Sequence, residues 1–320
     1  MSVNKGRFVA VLSAFAALFL AGCKTGPAVL PDNPFNILGS GASYYLVLPV
    51  DANRDLLKQL AASQTNSDSL LQAVDRTSVI YAGLYKAADN AADMSAAASG
   101  TVRLAATGFF PRMASPAVFA KTKGWKKIVG ESGASWYKNG AYEASIPKNG
   151  LVCLSSGGGI ETILKNIETP LPVSLSPAFI EYASAAAVDG RIGIFVSDTQ
   201  ALAARLLGPE ITLPVSYAEI FAERVVASPV PRTVQNAAAG DAQSDAQSAG
   251  STENTYDISA HIVLTDARTA RSIKTLISLL LSAEVRIEGE QIYVSSYNVT
   301  AEKLVEIARI LYLDKNDNKE

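Results

Sequence analysis

Apolar residues recur along the chain at two spacings. Runs rich in β-branched and aromatic side chains at 44–50, 77–84, 102–110, 151–154, 191–197 and 256–264 read as strands, and 214–226 carries another. Between them, apolar positions three and four apart read as helices. These are Leu56, Leu57 and Leu60; Leu70, Leu71 and Val74; Ile160, Ile163, Leu164 and Ile167; Leu202, Leu206 and Leu207; Ala270, Ile273, Ile277 and Leu280; and Leu304, Val305, Ala308 and Leu311. A further helix fits 115–122, and the Ala-rich stretch 86–99 reads as a surface helix or loop. Asn139-Gly140 between aromatic runs, and Gly289 between Val285–Ile287 and Ile292–Val294, supply the positive φ angles of tight hairpins.

The order of elements repeats. Strand, helix, two strands, helix, hairpin and helix fit 44–167 and again 191–311, with an extra strand at 151–154 in the first copy. Asp51 then corresponds to Asp198 and Gly140 to Gly289. The resulting expectation is an α+β protein of two similar tandem subdomains, helices packed on antiparallel sheets. The subdomains span 44–168 and 191–313, with a linker at 169–190 around Pro170, Pro172 and Pro177. Residues 227–253 lack large apolar side chains and read as a disordered insertion in the second. Residues 314–320 form a charged tail.

The N-terminus has a different pattern. Lys5 and Arg7 precede an uncharged run from Phe8 to Leu20, which is shorter than the ~20 residues a membrane-spanning helix requires. The run ends in Leu20-Ala21-Gly22-Cys23. These four residues resemble the lipobox of bacterial lipoprotein precursors. The resemblance implies a signal peptide at 1–22, cleavage before Cys23, diacylglycerylation of the Cys23 thiol, and acylation of the new N-terminus with palmitate-class chains. It covers the first 23 residues and assigns no family to the rest. Lys24, not Asp, follows the cysteine, which points to the outer membrane. Residues 23–43, punctuated by Gly26, Pro27, Pro31, Pro34, Gly39 and Gly41, read as a tether, with Phe35, Ile37 and Leu38 packing back on the body.

Composition narrows the function. Hydrophobic residues make up 48% of the 320, enough for a core. The net charge is −2, and removing residues 1–22 takes away Lys5 and Arg7 and no acid, leaving −4. That balance argues against nucleic-acid binding. A single His and two Cys, one of them acylated, argue against a metal centre or a disulfide scaffold.

Individual residues read as structural. Asp51, Asp198 and Asp266 each lie between a strand and a helix, as N-caps do. His261 and Cys153 sit within strands, one hydrogen-bonded, the other a small buried hydrophobe. The run Ser155-Ser156-Gly157-Gly158-Gly159 ahead of a helix lacks both phosphate-loop signatures. Asp89 and Asp93 share a helix face and repel. Trp125, Trp136, Tyr137 and Tyr142 cluster as core aromatics. No catalytic residue, cofactor or metal is expected. The expected function is a non-enzymatic binding or structural module, anchored through Cys23 in the envelope and facing the periplasm. The alternative is a lipid- or amphiphile-binding outer-membrane lipoprotein, with a hydrolase of dispersed site behind it. The membrane, and a lipid or an envelope protein, are the expected partners.

Overall fold

The computed structural model describes residues 26–62, 67–86, 100–130, 133–207, 210, 212–225, 255–281, 283–304 and 306. Residues 1–22, read as a signal peptide, Cys23, Asp89, Asp93, residues 227–253 and residues 314–320 lie outside them.

The strands are β1 (Ala42–Pro49), β2 (Thr77–Tyr85), β3 (Thr101–Gly108), β4 (Lys126–Val129), β5 (Ser135–Asn139), β6 (Tyr142–Lys148), β7 (Leu151–Ser156), β8 (Ile192–Val196), β9 (Val215–Val225), β10 (Thr255–Leu264), β11 (Glu284–Glu288) and β12 (Gln291–Thr300). The helices are α1 (Arg54–Ala62), α2 (Ser67–Arg76), α3 (Ser115–Val118), α4 (Ile160–Glu168), α5 (Pro177–Asp189), α6 (Thr199–Leu207) and α7 (Ala270–Leu281), and residues 301–304 start one more turn.

The described strands all belong to one antiparallel sheet, in the order β11-β12-β10-β9-β8-β1-β2-β3-β7-β6-β5-β4. The fold is α+β, and the two half-sheets are continuous. They meet where β1 pairs β8, Leu46 opposite Ile194. From that seam the order is β1-β2-β3-β7-β6 on one side and β8-β9-β10-β12-β11 on the other. The strand sequence is the same in both halves. The counterpart of Gly289, however, is Gly150 in the β6–β7 turn. Asn139-Gly140 closes an additional hairpin, β5–β6, which has no counterpart among the described residues of the second half.

Successive side chains on a strand face opposite ways, so the sheet has a front and a back. The front of the first half is covered by α4, α5 and the N-terminal segment. Phe35, Ile37 and Leu38 are at most 1% exposed there. The Phe35 ring meets Tyr45 edge-on at 5.3 Å, Tyr81 at 5.7 Å and stacks on Phe179 at 5.8 Å. Asn33 caps its own turn and reaches Val173, and Asn36 accepts from the Val173 amide at 2.9 Å. Residues 26–41 are thus part of the folded body, and the tether reading does not hold for them. The linker reading fails equally for 177–189. That segment is α5, capped by Ser176 and ended by Gly190, with Phe179, Tyr182, Ala183 and Ala186 buried. These four lie at helical spacing, but Ala178, Ile180, Ala185 and Val188 make the outer face apolar as well, so the two faces differ little.

The aromatic cluster divides between faces. Trp136 is buried on the front, while Phe119 packs on Trp125 and Tyr137 at 5.0 Å each on the back, and Tyr142 stays exposed.

Candidate functional site

Among the described residues, the two faces of the sheet carry surfaces that the helices leave partly open. The first is on the front of the second half. Cross-strand register aligns Phe195, Glu219, His261, Tyr293 and Arg286 in one row. Glu219 is 3% exposed. Its carboxylate accepts a hydrogen bond from the Ser176 hydroxyl at the start of α5 and lies 3.1 Å from His261 Nδ1. His261 Nε2 lies 3.2 Å from Gln291 Oε1. The imidazole stacks on Tyr293 at 4.8 Å, and the Arg286 guanidinium lies 5.0 Å from the Tyr293 ring centre. A groove of about 440 Å³ runs beside the row, lined also by Phe221, Ser259, Glu284 and Ser295.

This order of groups is a packing network rather than a nucleophile relay. Acyl transfer needs the imidazole between hydroxyl and carboxylate. Here the carboxylate lies between Ser176 and His261, and Nε2 faces an amide. His261 is hydrogen-bonded, as expected from its strand. Glu219 escaped sequence reasoning, yet it left a signal: it occupies the inward position between Tyr217 and Phe221 in a period-two strand.

The second surface is the back of the sheet. Leu154, Leu104, Ala82, Leu46, Ile194, Ile220, Ala260 and Val294 stand directly opposite one another on eight consecutive strands. Every one is apolar. Only Val294 is fully buried, and Leu154 is 36% exposed. The adjacent pair Leu84 and Val102 continues this floor, Val102 at 38% exposure. At ~4.8 Å per strand gap the row is on the order of 30 Å wide. Three elements roof it in part. Leu56, Leu57 and Leu60 of α1 meet Leu46, Leu48 and Ile80; Leu202 of α6 meets Tyr44 and Ile194; Ile273 and Ile277 of α7 cover the β10–β12 end.

The remaining candidates are structural. The carboxylate of Asp198 accepts from the Ala201 amide at 3.0 Å, and that of Asp266 from the Arg268 amide at 3.0 Å, so both cap as expected. Burial works against the Asp198 charge, but its pairing with Lys86 and the cap bond outweigh it and hold the carboxyl below its ordinary range. Asp51 does not cap. It pairs with Arg54 in solvent, and Asn53 holds the start of α1, donating to Pro49 and Gly190 carbonyls at 2.8 and 2.9 Å. Cys153 is fully buried, and desolvation pushes its thiol up to about 12.

The glycine run ahead of α4 is no open phosphate cradle. Buried Glu143 already faces the helix start, accepting from the Ile160 amide at 3.4 Å. Gly159, at φ 112°, lets the backbone lie against Arg103, whose Nε would be 2.7 Å from any added Cβ. Among the described residues no group of three His, Cys, Asp or Glu side chains could hold a metal ion, and no helix is long and apolar enough to cross a membrane.

The protein is thus an α+β protein built on one wide antiparallel sheet whose apolar back is, among the described residues, partly roofed. Residues 31–231 match the family described as outer membrane-associated lipoprotein TP0453, and the chain belongs to that family. The family description supports the lipoprotein reading, and the match takes in most of residues 23–320. Outer membrane protein TP0453 of Treponema pallidum (strain Nichols) is 22% identical over 291 residues, covering 89% of this chain and 88% of that protein. Two crystal forms of TP0453 share the fold. Form III has a TM-score of 0.65 at 21% identity, covering 88% of this chain and 98% of that one. Form I has 0.64 at 21% identity, covering 89% and 99%.

Proposed function

We propose that this protein is a non-enzymatic binding module of the outer membrane, held there on its periplasmic face by acyl chains on Cys23, and that its ligands are amphiphiles. The supporting observation is the apolar row on the back of the sheet. Leu154 and Val102 expose its edge, and the other members are mostly half-buried. Contiguous apolar surface of this kind marks binding sites, and each buried methylene of an acyl chain contributes ~0.8 kcal/mol. The helices above it suit the role. α1 buries Leu56 on the floor, and its partner helix α2 packs on α1. Such a roof can shift without disturbing the strand ladder.

The test of the anchor is the Cys23→Ser variant. It should lose metabolic fatty-acid labelling and accumulate as uncleaved precursor, because the hydroxyl is no substrate for thioether transfer. Persistent labelling would show that the lipid is elsewhere. The test of the ligand is mass spectrometry of residues 24–320 purified without detergent, which should carry bound lipid. Protein that is free of lipid and does not take up added fatty acid contradicts the reading.

A further inference from the structure

The lipidated end of the chain leaves no room for a long tether. Ala28 donates to the Gly150 carbonyl at 3.3 Å, Lys148 Nζ donates to the Val29 carbonyl at 2.9 Å, and Ser184 holds the Asp32 carbonyl. Gly150 fits only as glycine: at φ 80° an added Cβ would lie 2.4 Å from the Gly26 carbonyl and 2.5 Å from the Ala28 amide. The chain is therefore pinned from Gly26 onward. Cys23 precedes Gly26 by three residues. Three extended residues reach at most about 11 Å.

The surface at this point is unusual. Gly108 donates to Gly150, Gly150 donates to Phe110, and the Arg112 amide donates to Asn149. From backbone tied to this one turn project Val29 at 87% exposure, Phe109 at 52% and Met113 at 94%. Val188, at 92%, lies at the same end of the sheet, since Gly190 after it accepts from Asn53 beyond β1. Arg112 and Lys148 stand beside the three, and Lys24 lies between them and the anchor in sequence. Asp51, Asp75 and Asp189 at this end are each engaged by arginine or lysine.

Resting on the reading of Cys23 as the anchor, we infer that this lower end of the sheet is a membrane-docking surface. Val29, Phe109 and Met113 enter the interface of an anionic bilayer, and the strands stand on the membrane end-on. Side chains of this size gain little in water and much at an acyl boundary, and basic neighbours favour anionic headgroups. A short anchor and an apolar, basic surface at its root act together.

The experiment uses the lipidated protein in phosphatidylcholine–phosphatidylglycerol vesicles. An environment-sensitive fluorophore is placed at Met113→Cys or, as control, at Tyr142→Cys. Tyr142 is 65% exposed and lies at the far end of β6, six residues or about 20 Å along the strand. Cys153 is buried and does not compete for the label. Both replaced side chains are exposed, so the fold should tolerate them. The proposal expects nitroxide lipids to quench the probe at 113 and leave that at 142 bright. Equal quenching, or quenching at 142 alone, overturns it. A probe at 113 that stays wet in vesicles but is shielded in cells assigns the surface to a protein partner and also overturns it. The intact mass of the same sample reports the acyl chains. Their absence removes the anchor, and the docking with it. Their presence beside a wet probe at 113 rejects the docking alone.

Discussion

A carboxylate at the same sequence position in two strand–helix corners does different work in each. Asp198 bonds the Ala201 amide and pairs with Lys86, while Asp51 is left in solvent beside Arg54 because Asn53 takes the helix start. Asp198→Ala should therefore cost about 1 kcal/mol in denaturant-measured stability, and Asp51→Ala about half that or less. Equal costs would refute the assignment. Cys153 allows a second check. Its folded pKa is raised from 9.0 to about 12 by burial, so its contribution is fully present below about pH 9 and is lost as pH rises toward 12. Tyr81, raised by burial from 10.0 to about 12, acts in the same sense. Stability should fall through that window, and Cys153→Ala should reduce the fall. The native thiol should also resist modification that the denatured chain accepts at once.

Among the elements, hairpins and strands were legible in the sequence because their signals are local. Asn139-Gly140 and Gly289 do close two-stranded turns. α5 was not legible. Its outer face is nearly as apolar as its buried stripe, so the helical contrast is weak, and the prolines before it suggest a break, yet Phe179 and Tyr182 bury it among aromatics of β8 and β9. The N-terminal segment was misread for a related reason: glycine and proline mark turns whether or not those turns are pinned to a core. The shared strand order of the two half-sheets supports an internal duplication, displaced from the expected landmarks by the inserted β4–β5 hairpin. The ends of β9 and β10 supply a prediction. Val225 and Thr255 stand directly opposite each other. Replacing 226–254 by Asn-Gly should therefore preserve the fold, since loop-closure entropy changes by only ~0.6 kcal/mol per halving of length. The thermal midpoint of the shortened protein should equal or exceed that of the parent. Loss of cooperative unfolding would mean that the segment packs on the body.

For the whole molecule, the address was readable from twenty-odd residues, whereas the surfaces were not readable at all. The Glu219–His261 contact and the apolar row both depend on register, which sets residues as distant in sequence as Leu46 and Ile194 side by side. The row from Leu154 to Val294 needs eight strands in the correct order before it exists. If that row holds amphiphiles, residues 24–320 should bind a fluorescent fatty acid. The parent should bind with saturation. Leu154→Glu and Val102→Glu place a charge on the floor at positions exposed enough to leave the fold intact, and each should weaken binding about tenfold or more. Leu154→Met should bind as the parent does. A parent that shows no saturable binding, or glutamate variants that bind as tightly as the parent, would contradict the account.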